Sequence, residues 1–224
     1  KGVEEYSIEC AIIKIFGSEL IQYATDEAVQ IYGGMGFSAE SVVEAFYRDA
    51  RISRIYEGTN EINRLLLVKM IMKKVMTGEI DLLGPAKAVA KELISIPSFD
   101  AQSKALFEEE KKILKNLKKS ILIVAATSAQ KLGDKLALEQ EVMMNIANMI
   151  IQVYMFESAL LKTEKLITKD GRVMHEEKIS MSINYLHHTV EEVRKNGKEA
   201  LYAIVEGDEQ KMLLMGLKRF TKVP

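Results

Sequence analysis

The sequence predicts an all-α protein, an antiparallel bundle of helices joined by short loops, and three observations carry that expectation. Only three prolines and 13 glycines interrupt 224 residues, so long stretches of good helix formers run unbroken. Apolar residues recur at three- and four-residue steps along most of the chain, which is the period of an amphipathic helix. No segment of useful length alternates polar and apolar as a half-buried strand would.

The elements follow in order. From Glu4 to about Tyr32, Ile8, Ile12, Phe16, Leu20 and Tyr23 mark one face of a helix, which "GGMGF" at Gly33 to Phe37 ends. Ser38 is the expected cap of a second helix reaching about Arg51. Thr59 is the expected cap of a third, to about Met76, with Gly78 just beyond. Pro85 suits the first turn of a fourth helix, because its missing N–H costs nothing there. "SIPSFD" around Pro97 is a further break. Two long patterns follow, Ala101 to Leu132 and Leu138 to Thr168, separated by Gly133-Asp134. In the second, Val142, Ile146, Met149, Val153, Phe156, Leu160 and Ile167 approach a heptad repeat. Another runs from about Met174 to Val205, and Gly207-Asp208 precedes a short terminal helix. The texture changes near Gly84, so the expected domains are 1–83 and 84–224.

Composition narrows the function. The chain is 48% hydrophobic and 28% charged, enough to bury a core. With 31 basic and 32 acidic residues there is no electrostatic case for a nucleic-acid partner. One cysteine, Cys10, rules out an intrachain disulfide, and it reads as a lone buried thiol in a reducing compartment. The longest apolar runs, such as "ILIVAA", fall far below the roughly 18 residues of a membrane span. Lys1 and Pro224 both read as cuts through a longer polypeptide.

Histidines offer no metal site: His187 and His188 are adjacent and point apart on a helix, and His175 stands alone. "EEEKKILKNLKK" reads as a solvated face with Glu108/Lys111 and Glu109/Lys112 at pairing distance, the rival being a membrane-facing surface. "GGMGF" lacks the strand context of a phosphate loop and reads by itself as a helix end and tight turn. "RDARISRIYEGTNEINRLLL" is harder to dismiss. Its break at Glu57-Gly58 gives up helical hydrogen bonds. Gly58 lets another molecule approach closely, and a carboxylate ahead of a new helix N-terminus is a sensible place for a base.

Together "QIYGGMGF", "YRDARISRIYEGTNEINRLL" and the helix before them resemble the C-terminal helical domain of flavin-dependent acyl-CoA dehydrogenases, over about Glu4 to Leu67. The remainder resembles the extra helical domain of very-long-chain-type members, most clearly at "LEQEVMMNIANMIIQVYMFESALLKTEKL". The resemblance implies that Glu57 is the catalytic base, removing the α-proton of an acyl-CoA thioester while a hydride leaves the β-carbon for FAD. It implies that the backbone N–H of Glu57 helps polarise the thioester oxygen. Gly58 would lie against the substrate, and Thr59 and Glu61 would contact FAD. Gln30, Gly33 and Gly34 would reach the FAD of a neighbouring subunit, hence a homodimer. Arg48 and Asp49 match a family motif and read as structural pairing.

The same resemblance implies electron transfer to an electron-transfer flavoprotein and a bacterial cytoplasmic location. The family's N-terminal helical domain, its β-domain and the first helices of its C-terminal bundle are absent from this sequence. The chain alone is therefore expected neither to hold FAD firmly nor to turn over substrate. Two rivals stand beside this reading: an acyl-CoA oxidase, and a helical docking module for membrane or protein partners after Gly84.

Overall fold

The computed structural model describes residues 5–94 and 106–223, and among them the only regular structure is helical. Two compact units divide the chain, residues 1–73 and 74–224. Three sequence expectations, the break around Pro97, the start of the helix at Ala101 and the first residue of the first helix, lie outside the described residues.

The first unit is built on α1 (Ser7–Tyr32), a 3-10 turn (Gly33–Phe37), α2 (Val42–Ile52) and the first part of α3 (Asn60–Met76). Ala11, Ile12, Ile15 and Ser18 form the buried face of α1. Leu20 and Tyr23, which the periodicity places on one face with Ile12, are exposed, Tyr23 to 65%. The fully buried stripe lies in the N-terminal half of the helix. Cys10 is exposed as well, against the expected buried thiol, since it sits off that stripe. Gly33 ends α1 at φ +60, the left-handed geometry expected of a glycine there.

Ser41, and not Ser38, caps α2: its side chain accepts the N–H of Val43 at 3.2 Å. The intervening residues fold first into a turn, in which the Ser41 N–H donates to the Ser38 carbonyl at 2.9 Å. Thr59 caps α3 as its position predicts, with Oγ1 accepting the N–H of Ile62 at 3.2 Å.

The second unit contains α4 (Leu83–Ile94), α5 (Glu108–Leu132), α6 (Gln140–Asp170), α7 (Glu176–Ile204) and α8 (Gly207–Phe220). Pairings of low with high residue numbers show α5, α6, α7 and α8 running antiparallel in succession: Lys111 with Glu164, Thr163 with Ser182, Arg194 with Thr221. The heptad face of α6 is the core. Val142, Ile146, Met149, Val153, Phe156 and Leu160 are all at most 3% exposed. Thr163 takes the next heptad position, buried, with its hydroxyl on the Ala159 carbonyl and against Ser182 Oγ. Gly197 lets α7 and α8 approach closely, since a Cβ there would meet both Leu217 methyls at 3.0 Å. Lys111 pairs with Glu164 at 2.5 Å and Lys118 with Glu157 at 2.6 Å. The pairing expected between Lys111 and Glu108 inside α5 thus gives way to pairs that tie α5 to α6.

His187 and His188 are exposed, and His175 sits at the start of α7 with Nε2 3.1 Å from Asp170 Oδ2. Among the described residues no cluster of His, Cys, Asp and Glu could hold a metal ion. None of their helices is long and apolar enough to cross a membrane.

Candidate functional site

The break in the Arg48–Leu67 stretch is a compact turn. Helix α2 ends as the Ser53 hydroxyl and N–H both fold back onto the Ala50 carbonyl. Ile55 and Tyr56 N–H groups close on the Ile52 carbonyl, and the Asn60 N–H reaches the Arg54 carbonyl at 3.1 Å. Between these closures the backbone reverses hand. Glu57 has φ +55 and Gly58 φ +80. A non-glycine residue there costs about 1–2 kcal/mol, so the surroundings must hold it.

They do so through a polar network that links the turn to α1. The Gly58 carbonyl accepts from Lys14 Nζ at 2.7 Å and from Asn63 Nδ2 at 2.8 Å. Asn63 also reaches the Thr59 carbonyl at 3.1 Å. Lys14 donates again, to Asn60 Oδ1, at 2.7 Å. Asn60 is 0% exposed, and its Nδ2 donates to Ser18 Oγ at 2.9 Å and Glu19 Oε1 at 3.1 Å. Arg64 completes the lattice with a two-pronged pair to Glu19 at 2.8 and 2.9 Å. A methyl group on Gly58 would stand 3.0 Å from Asn63 Nδ2, so this glycine leaves space for its own network as well as for an approaching molecule.

What the turn leaves free is as informative. Among the described residues no acceptor is recorded for the N–H groups of Glu57, Gly58 or Thr59, while the Gly58 and Thr59 carbonyls are engaged. The Glu57 side chain is exposed. The turn therefore offers one carboxylate and a short row of unpaired N–H donors, the pairing needed to take a proton and steady the negative charge it leaves.

Glu61, one turn into α3, is ionised readily. A hydrogen bond from its own backbone N–H holds its carboxyl below the usual carboxylate range, against some burial; the Thr59 hydroxyl and the Arg64 and Arg54 charges add to it.

Gln30, Gly33 and Gly34 lie elsewhere. Lys14, which touches the Glu57 turn, and Gln30 are sixteen residues apart on α1, about 24 Å along its axis at the helical rise. Along α1 the two groups of candidate residues are thus set apart, although the groove beside the glycines reaches Ile55, two residues before Glu57. Gly33 and Gly34 have open space where a Cβ would stand. Beside them Val29, Gly36, Phe37, Tyr47, Arg48 and Ile52 help to line a groove of about 530 Å³. Arg48 there pairs with Glu44 at 2.6 Å, and not with the neighbouring Asp49, because Glu44 lies one helical turn away on the same face.

Sequence reasoning singled out Glu57, Gly58, Thr59 and Glu61, which the structure places at one turn, and passed over Lys14, Ser18, Glu19, Asn60 and Asn63, whose side chains form the network around it. In α1 the polar positions Lys14 and Ser18, four residues apart, and Glu19 beside them interrupt an otherwise apolar segment, and that was the available signal.

Two helical units, one of them carrying an exposed acidic turn, make up an all-α protein. Comparison with known proteins makes that specific. Two family models, each described as "Acyl-CoA dehydrogenase, C-terminal domain", match residues 1–72 and 116–219. A probable acyl-CoA dehydrogenase of Bacillus subtilis is 42% identical over 223 residues, which is 100% of this chain and 37% of that protein. The human mitochondrial very long-chain specific acyl-CoA dehydrogenase is 55% identical over 67 residues, 30% of this chain and 10% of that protein. The crystal structure of a Bacillus anthracis acyl-CoA dehydrogenase complexed with FAD superposes with a TM-score of 0.92 at 40% identity, over 98% of this chain and 37% of that one. The chain belongs to the acyl-CoA dehydrogenase family and carries its C-terminal domains. It spans little more than a third of the Bacillus relatives.

Proposed function

We propose that the chain is the part of an acyl-CoA dehydrogenase that supplies the catalytic base, and that the whole enzyme converts an acyl-CoA thioester to the trans-2-enoyl-CoA with FAD as oxidant. The observation that carries this reading is the Glu57 turn: an exposed carboxylate on a left-handed residue whose own N–H is unpaired.

An α-proton beside a thioester is far too weak an acid for a carboxylate in water. Glu57 therefore needs its partners. Its backbone N–H donates to the thioester oxygen and steadies the charge that develops as Glu57 takes the proton. Gly58, without a side chain, lies against the thioester. Substrate packed over the turn excludes water and brings the basicity of Glu57 toward neutrality. The flavin, when bound, accepts the hydride from the β-carbon. Thr59 and Glu61 contact the cofactor of the same subunit, and Gln30, Gly33 and Gly34 that of a neighbour. The open space at Gly33 and Gly34 and their distance along α1 from Glu57 both support such sharing in a homodimer.

Reoxidation by an electron-transfer flavoprotein and a bacterial cytoplasmic setting complete the proposal, the latter supported by the Bacillus relatives. The division into domains at 1–83 and 84–224 belongs to it too; the two family matches fall on either side of that boundary.

In the full-length enzyme, Glu57→Gln is expected to keep its yellow FAD yet fail to bleach when acyl-CoA is added. Bleaching at the wild-type rate would remove Glu57 as the base.

A further inference from the structure

A lysine in mid-helix usually extends into water or meets a carboxylate. Lys14 does neither: its ammonium is shared between two neutral acceptors, the Gly58 carbonyl and Asn60 Oδ1, both at 2.7 Å. Among the described residues no carboxylate is recorded as its partner. The second of those acceptors is fixed, since Asn60 is fully buried and gripped by Ser18 and Glu19. The ammonium is therefore an anchored point on α1, and the Gly58 carbonyl is pinned to it.

That carbonyl is where the turn is most in need of restraint. It belongs to the residue after Glu57, whose own left-handed φ of +55 is strained for a residue with a side chain. A charged donor on a neutral carbonyl makes a stronger hydrogen bond than a neutral donor does. Asn63 grips the same oxygen from α3 at 2.8 Å, so the carbonyl is held from both flanking helices. With the carbonyl held inward, the Glu57 N–H and carboxylate stay on the open side.

We propose that Lys14 is a positioning residue for the base, acting through the Gly58 carbonyl to hold Glu57 in its left-handed conformation. This rests on Glu57 being the base. Lys14 does not touch substrate or flavin; it fixes the place from which Glu57 works. Because a misplacement of about 1 Å can cost on the order of a hundredfold in rate, loosening this anchor is expected to act on the chemical step.

The test uses the FAD-loaded, full-length enzyme. Lys14→Met is expected to slow flavin bleaching about ten- to a hundredfold, with KM little changed and the FAD content kept. Hydrogen exchange in a peptide spanning residues 54–60 is expected to quicken. Lys14→Arg, which keeps a charged donor, recovers most of the rate. Lys14→Gln, a neutral donor, takes the place of Lys14→Met if the latter does not fold. Asn63→Ala acts on the same oxygen, so the double variant should fall short of the product of the two single losses. Wild-type bleaching and exchange in Lys14→Met, or strictly multiplicative losses, would overturn the proposal. Glu57→Gln run in parallel separates the two ideas. If it bleaches, the base assignment fails; if it is silent while Lys14→Met is normal, only the role of Lys14 fails.

Discussion

Residues 1–73 and 74–224 are held together in different ways. The larger unit is closed on itself by an apolar core, with Phe156, Phe220, Leu117, Met143, Met149, Leu160, Leu201 and Leu217 all less than 2% exposed. The smaller has few such residues, chiefly Ile12, Ile15 and Leu67, and uses the partly buried lattice of Ser18, Glu19, Asn60 and Arg64 as well. It also leaves Ile31, Phe37, Val42, Phe46 and Ile62 more than half exposed, so most of the large apolar side chains left in water lie in about a third of the chain. Exposed apolar surface on that scale marks a face that works against another surface. Under the proposed function, a unit that presents a base and shares a cofactor keeps its own order by directional hydrogen bonds and leaves its apolar faces for contact. The unit without those duties is packed as an ordinary core.

Substitutions sharpen that contrast. The largest effect is expected at Phe156. Truncation to alanine removes a fully buried ring from the middle of α6 and should cost about 3–5 kcal/mol, read as a fall in the denaturation midpoint of the second unit. A loss below 1 kcal/mol would show that this core is less continuous than it looks.

Asn60→Ala comes next. It leaves the Lys14 ammonium with the Gly58 carbonyl alone and frees Ser18 and Glu19 of one partner, and about 2 kcal/mol is expected, read from the unfolding of the first unit. An apolar replacement that left stability unchanged would mean that the lattice positions the turn without stabilising it.

The smallest effect is a pH dependence confined to the second unit. Burial pushes the Tyr185 hydroxyl, which donates to Gln152 Oε1 at 3.0 Å, up to about 12. The folded state thus keeps its proton where the unfolded chain, near 10, has begun to lose it. Its contribution is complete below pH 10 and falls away as pH rises toward 12. Denaturation midpoints taken across that range should fall less steeply in Tyr185→Phe; equal slopes would remove the effect.

Much of this was legible in the sequence because it depends on local rules. The heptad of α6 predicts its own core, and Thr59, Gly33 and Gly78 stand at the helix ends where capping chemistry puts them. The failures share a cause. Leu20, Tyr23 and Cys10 were assigned sides from the period of α1, but periodicity tells which residues share a face and not whether anything covers it. Lys111 found Glu164, 53 residues away, in place of Glu108, because a neighbouring helix competes with the helix's own surface. The Glu57 turn was visible as an anomaly, since Glu-Gly breaks a helical pattern. Most of the side chains that hold it come from 41 to 46 residues earlier in the chain, where polar positions on α1 do not say which turn they will meet.

Helix α1 carries a consequence of its own. One end is pinned to the Glu57 turn by Lys14, and the other opens into Gly33 and Gly34. A helix joining two such points sets not only their spacing but their phase. Deleting one residue between Ser18 and Gln30 would shorten the rod by only about 1.5 Å, yet turn its two ends by about 100° relative to each other. Removing seven would shorten it by about 10 Å and bring the ends back to within about 20° of their original phase. In evolution, then, α1 is free to change its surface residues, but its length can change without altering the phase of its ends only in steps near whole turns.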